Sequence, residues 1–240
     1  FVPALLLELA IRLPFFQSSL IRYATAAPSR GESVKETQKT VSFGRQLWTS
    51  CTILLGPTAI LNAALGPLLA EFLFPEISGD FPTLSSFLIG FAVMQLAGDF
   101  FLYWGHRIQH TNSYLWEHYH SLHHKIATPS PVSAIYIDSV DATLQAALPM
   151  TLAAVIARPH PLTFYVYILA RIGENVFNHS GLNSLLLDVL FLKVLPGRAS
   201  VAHHDSHHRF SKGGPSAKNY AENFWIWDWM FGTFRKPGNV

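Results

Sequence analysis

The chain has 240 residues, 50% of them hydrophobic and only 13% charged, with a mean hydropathy of +0.24. Ordinary soluble domains carry roughly 25% charged residues, so this composition points to a membrane protein, and one sizeable domain accounts for the length. A formal net charge of +2 leaves no electrostatic footprint for nucleic acid, and a single cysteine, Cys51, excludes both an internal disulfide framework and a thiolate metal cage.

Residues 1–20 are apolar but interrupted by Pro3, Glu8, Arg12 and Pro14, which suits a short interfacial helix better than a span. The polar, turn-rich stretch that follows reads as a solvated connector, so residues 1–45 form an N-terminal segment and 46–240 the main domain. Two long apolar segments come next, residues 46–74 and 83–104, each longer than the roughly 20 residues that cross a bilayer core. Pro57 and Pro67 are expected to kink the first. No lysine or arginine occurs from 46 through 106, while basic residues flank both sides of this stretch, so the positive-inside tendency puts the N-terminal part and the residues after Trp104 on the cytosolic side. A second apolar pair, 143–157 and 161–172, would reach only about 22 and 18 Å as helices and is expected to form a short, partly inserted hairpin. Further on, "LNSLLLDVLFLKVLP" fits a segment lying along the interface.

All twelve histidines lie between His106 and His208. His106 and His110 form HxxxH; His120, His123 and His124 form HxxHH; His204, His207 and His208 form HxxHH again. Residues three or four apart share a helix face, so each group aims its imidazoles into a common volume. A solitary histidine is usually an ordinary surface or core residue, but three spaced groups on one side of a membrane fit metal-ligand spacing. Imidazole suits zinc, iron, copper and nickel alike. Eight histidines are too many for one tetrahedral ion and fit two metal ions. Asp99, Glu117, Asp138, Asp141, Glu174 and Asp205 are candidate carboxylates for orienting such imidazoles.

From about Asp99 to Phe234 the chain resembles the fatty acid hydroxylase superfamily, also called the sterol desaturase family, of membrane di-iron oxygenases. The motifs "DFFLYWGHRIQH", "HSLHH", "NHSG" and "HHDSHH" stand in family order, and "ENVFNHSG" with the ending "NYA…WDWMFGT" is most similar to the C-4 methylsterol oxidases. The resemblance implies an all-α integral membrane protein, a helical stem carrying a cytosolic cap with a histidine-rich di-metal site. It also implies two irons held by His106, His110, His120, His123, His124, His204, His207 and His208, with His179 of "NHSG" as a ninth ligand and catalytic group. His118 and His203 would be supporting or surface residues and His160 a loop residue. The implied reaction is oxidation of an unactivated C–H bond of a sterol or related lipid with O2. Electrons would come from NAD(P)H through cytochrome b5, whose acidic surface Arg198, Arg209, Lys212 and Lys218 could dock, and the implied location is the endoplasmic reticulum. C-5 sterol desaturases and fatty-acid or sphingoid hydroxylases share the same frame. Phe100, Phe101, Tyr103 and Trp104 are candidates to line a substrate pocket or form an interfacial belt, and Trp225, Trp227 and Trp229 to pack the C-terminal segment. One departure stands out: many relatives carry a histidine–proline pair after the second cluster, where this chain reads "SAIYIDSVDA", with Ile137 and Asp138 near that place.

Two readings from other classes are weaker. A membrane zinc hydrolase usually sets a glutamate beside its ligands, as in HExxH, and "HRIQH" has none. A non-enzymatic metal-binding or transport protein would favour ligands inside the spans, where only Glu71 and Asp99 are acidic.

Overall fold

The computed structural model describes residues 2–12, 21–22, 41–74, 80–127, 129–211 and 213–237. The fold is helical. Among the described residues, the β structure amounts to an antiparallel pair, β1 (Ile21–Arg22) with β2 (Leu182–Asn183), and one isolated bridge between Arg198 and Phe224.

Helix α1 (Val2–Arg12) buries Ala4 and Ile11, packing Ala4 against Ala134 and Val176 while Val2, Leu6 and Leu9 on its other face stay exposed. It therefore docks on the domain along one side. The connector expected after it lies almost wholly outside the described residues.

The segment expected as one kinked span divides at Gly56 into α2 (Phe43–Leu55) and α3 (Pro57–Leu73). Pro57 supplies no backbone N–H and stands at the first position of the second helix, so the hydrogen-bond ladder stops there and restarts. Pro67 remains inside α3.

Among the described residues, two helices are long and apolar enough to cross a membrane: α4 (Leu84–Thr111) and the continuous helix that follows the second histidine group. Thr83 caps α4, its hydroxyl accepting from the Ser86 N–H at 3.2 Å. At 28 residues α4 is about 42 Å long. It is thus about two turns longer than a ~30 Å hydrocarbon core, and its last two turns carry His106 and His110.

The second histidine group sits at the end of α5 (residues 113–123), with His124 as its C-cap, and α5 contains a π-turn at Trp116–His120. A short 3-10 turn, Pro131–Ile135, leads to α6 (Ser139–Ala157), started by Asp138, whose carboxylate accepts from the Val140 N–H at 2.8 Å. The first arm of the expected hairpin is therefore a 19-residue helix, longer than apolarity alone indicated, because the polar capping turn and a π-turn at Thr143–Ala147 extend it toward the histidines. Helix α7 (Pro161–Asn178) returns antiparallel. It too outruns its apolar stretch and carries Arg171 and Glu174 inward.

Helices α4 and α6 pack closely because Gly105 faces the Leu144 backbone, where any Cβ would overlap the carbonyl. Met94, Ala153, Ala154 and Tyr167 join α4, α6 and α7 into the core of the stem. After β2 come α8 (Leu185–Leu190), α9 (Val201–Phe210) and α10 (Ile226–Met230). Leu185, Leu186, Val189 and Leu190 are exposed on the first of these, in keeping with an interfacial position. Asp99 ties the C-terminal segment to α4, accepting from the Asn223 and Phe224 N–H groups at 2.9 and 2.8 Å.

Candidate metal centre

The end of α4, α5, the end of α7 and α9 bring all nine histidines singled out by sequence into one buried cluster. Their ring nitrogens fall into two groups, each with donor atoms within 4.8 Å of one another: His106, His110, His120, His124 and His207; and His123, His179, His204 and His208. The groups adjoin, with the His124 and His208 rings stacked at 4.7 Å between centroids.

Helical geometry explains the sorting. The outer pair of each HxxHH is spaced i, i+4 and stays together, while the inner histidine, rotated away, goes to the other group. Thus His120 and His124 join His106 and His110, and His204 and His208 join His179; His123 and His207 cross over.

The hydrogen bonds decide what this donor set fits. His123 Nδ1 meets the Tyr136 carbonyl at 3.3 Å, His179 Nδ1 the Asn175 carbonyl at 2.8 Å, and His208 Nδ1 the Ile126 carbonyl at 3.1 Å. A carbonyl only accepts, so each Nδ1 carries the proton and each Nε2 presents a lone pair. Yet His123 Nε2 faces His179 Nε2 at 3.2 Å. Two acceptors do not approach each other unless a cation lies between them. Burial, with the neighbouring imidazole adding to it for His123, pushes both rings down to about 4, so near neutral pH that cation is not a proton. A metal ion fits.

The five-histidine group repeats the pattern. His106 donates from Nδ1 to the Tyr220 carbonyl at 2.7 Å and leaves its buried Nε2 without a partner among the described residues; His207 Nδ1 donates to the Lys218 carbonyl at 2.6 Å. His120 Nδ1 lies 2.9 Å from Asp141, which Gln145 holds in turn, leaving Nε2 to face His110 Nε2 at 3.0 Å. Burial and the surrounding imidazoles hold His120, His124, His204, His207 and His208 well below the usual histidine range. Metal-ligating imidazoles take this neutral form with the second nitrogen anchored, as it is in His106, His120, His123, His179, His207 and His208; the buried Nδ1 atoms of His124 and His204 have no partner among the described residues.

A cavity of about 100 Å³ adjoins the four-histidine group, touching His123 and His179. Leu102, Ile137, Met150 and Ile172 supply apolar wall, and Asp141, Arg171 and Glu222 a polar edge. Ile137, from the departing stretch "SAIYIDSVDA", thus faces the histidines.

The fatty acid hydroxylase family model matches residues 91–233, well over half of the chain. The chain belongs to the fatty acid hydroxylase family. The match runs from α4 to just past α10 and encloses every histidine of the cluster. Among curated proteins, this family member is 35% identical over 137 residues to very-long-chain aldehyde decarbonylase GL1-8 of Oryza sativa subsp. indica, covering 56% of this chain and 48% of that protein. It is 30% identical over 175 residues to methylsterol monooxygenase 2-1 of Arabidopsis thaliana, covering 68% of this chain and 62% of that protein. The chain spans about half the length of the curated relatives it matches. No solved structure matches it.

The other sequence expectations for this fatty acid hydroxylase family member divide, some met and some not. His118 is exposed, stacked on Tyr114, while His203 is buried against Asp228 at 3.0 Å. His160 is a helix cap: Nδ1 accepts from the Leu162 N–H at 3.1 Å and Nε2 reaches the Asp80 carbonyl at 2.9 Å. Of the carboxylates, Asp141 meets His120, Asp99 and Asp138 hold backbone, Asp205 pairs with Arg209, Glu174 joins a buried ion network, and Glu117 is exposed. Arg198 cannot dock a partner because it is buried against Glu174 and the Phe191 carbonyl; Lys212 lies outside the described residues. Phe100 and Tyr103 pack on Trp227 and Phe231 and line neither described cavity. Trp227 does pack the C-terminal segment, but Trp229 is 66% exposed.

Sequence reasoning missed Asp228. Its carboxylate accepts from the Tyr220 and Ala221 N–H groups at 2.9 and 3.0 Å, and so fixes the carbonyl that holds His106. The one signal was its place in "NYAENFWIWDWMFGT", which marked the family ending without assigning the residue a task.

Proposed function

We propose that this chain is a membrane-bound non-haem di-iron oxygenase that oxidises an unactivated C–H bond of a sterol or related lipid, in the manner of a C-4 methylsterol monooxygenase. The observation that carries the reading is the convergence of nine imidazoles as a five and a four, with ring Nε2 atoms facing one another. His106, His110, His120, His124 and His207 would hold one iron and His123, His179, His204 and His208 the other; when bound, the irons supply the activation of O2 for C–H cleavage. The chain's own residues do the rest. The carbonyls of Tyr220, Lys218, Tyr136, Asn175 and Ile126, with Asp141, fix the tautomers of His106, His207, His123, His179, His208 and His120 in turn. The cavity walls, Leu102, Ile137, Met150 and Ile172, exclude water and orient the lipid toward the His123 and His179 side.

Residues 46–240 form the catalytic unit in this reading, with the histidines on the cytosolic face of the endoplasmic reticulum and electrons arriving from NAD(P)H through cytochrome b5. Methylsterol monooxygenase 2-1 matches the larger share of this chain and supports the sterol choice. The higher identity to an aldehyde decarbonylase favours a second reading, a very-long-chain aldehyde substrate. Iron-loaded protein with cytochrome b5, its reductase and NADH, offered 4-methylsterols and long-chain aldehydes in parallel, separates the two. Oxygen-dependent hydroxylation of the sterol is the expected result, and conversion of the aldehyde alone would replace it.

A further inference from the structure

A second cavity, about 310 Å³, lies between α4, α7 and residues 190–198. None of the nine histidines lines it. Arg171 borders the smaller cavity and Glu174 and Arg198 border this one, so the ion network joining these three forms a wall between the two spaces. The lining is otherwise nearly all hydrocarbon, and Leu96, Leu190, Leu192 and Leu195 around it are exposed, Leu96 on a helix long enough to cross a membrane.

Two buried polar atoms of this lining have no hydrogen-bond partner among the described residues: Oε1 of Gln95 and Nε of Arg198. Gln95 is 8% exposed and the Arg198 side chain 6%. Arg198 cannot turn to relieve its Nε–H. Its Nη2 is held by Glu174 and the Phe191 carbonyl, and the guanidinium stands over the Phe224 ring at 4.6 Å. Unmet groups in such surroundings are costly and call for a partner.

One is an acceptor and the other a donor, so the fitting group both donates and accepts, which is what a hydroxyl does. A carboxylate would satisfy Arg198 but give Gln95 nothing and meet Glu174. We propose that this cleft is a lipid site, separate from the metal centre, for an apolar molecule carrying a single hydroxyl, which bridges Gln95 and Arg198 while the hydrocarbon lies along Leu190, Leu192 and Leu195. The volume is at the lower end of small-molecule sites. The bilayer supplies such alcohols from two sources, sterols and long-chain alcohols.

The test is photolabelling of the full chain in detergent with two diazirine probes, a sterol and an octadecanol, each as the free alcohol and as its methyl ether. Mass spectrometry maps the label. The free alcohol of at least one probe should mark α4 or residues 190–198, with the ether on the order of tenfold weaker, since it has no proton for Gln95. Gln95→Leu should weaken labelling similarly, and Leu195→Trp should fill the cleft and abolish it, both variants keeping the parent melting temperature. Competition by unlabelled sterol against unlabelled octadecanol tells which source the cleft prefers. Equal labelling by alcohol and ether, labelling unchanged in Gln95→Leu, or no label in the cleft from either probe would overturn the site. Iron content plays no part in the readout, so loss of the di-iron reading would leave this result standing.

Discussion

Asp228→Ala is expected to be among the most damaging substitutions outside the histidines. The Asp228 side chain is fully buried and accepts four hydrogen bonds: from the Tyr220 N–H at 2.9 Å, the Ala221 N–H at 3.0 Å, the Thr233 hydroxyl at 2.7 Å and His203 Nε2 at 3.0 Å. Hydrogen bonds to a charged group contribute about 1.5–3 kcal/mol each but are not additive, and truncation strands two buried N–H groups. A loss of roughly 4–6 kcal/mol follows, a large part of a domain's total of about 5–15. For a chain of this size that lowers the melting temperature by about 10–20 °C. The damage should also reach the metal site, since the Tyr220 carbonyl released by the change orients His106. Asp228→Asn should cost about half as much: one oxygen remains for Tyr220 and Thr233, and His203 can change tautomer, but the Ala221 N–H then faces another donor. Thermal melting in detergent and metal analysis of both variants check this. Asp228→Ala melting within 2 °C of the parent and keeping its metal would refute the reasoning.

Asp141→Asn should keep the fold but weaken metal retention about 10–100-fold, because an amide no longer fixes the proton on His120 Nδ1; titration with a competing chelator measures it. Gly105→Ala should destabilise by about 1–3 kcal/mol by forcing α4 from the Leu144 carbonyl, and an unchanged melting temperature would contradict the close approach. In the metal-free chain, stability should fall with falling pH. The unfolded imidazoles bind protons below about 6.5, while His123 and His179 resist them down to about 4, so each withholds up to about 3 kcal/mol across that window, with stability complete above it. A melting temperature flat from pH 7 to 5 after chelation would contradict this.

The histidine spacings made the candidate centre legible because i, i+4 pairing on a helix is a local property. The division into a five and a four was not, since it depends on how α5 and α9 face each other across the cluster, which joins His123 to α9's outer pair and His207 to α4's. The carbonyls that anchor the imidazoles were invisible for a related reason: every residue has one, and only the fold selects those of Tyr136, Ile126, Lys218 and Tyr220. Apolar length located α4 well. It misjudged residues 46–74, where Gly56 and Pro57 together end a helix instead of bending it, and the hairpin, where the polar turns at Asp138 and the buried Arg171 and Glu174 prolong helices past their greasy stretches.

The most direct test of the central claim is the metal content of detergent-purified protein expressed with iron, beside His123→Ala and His207→Ala. Two irons per chain are expected, with each variant losing metal, because His123 belongs to the four-histidine group and His207 to the five. A single zinc per chain that survives both substitutions would contradict the di-iron account.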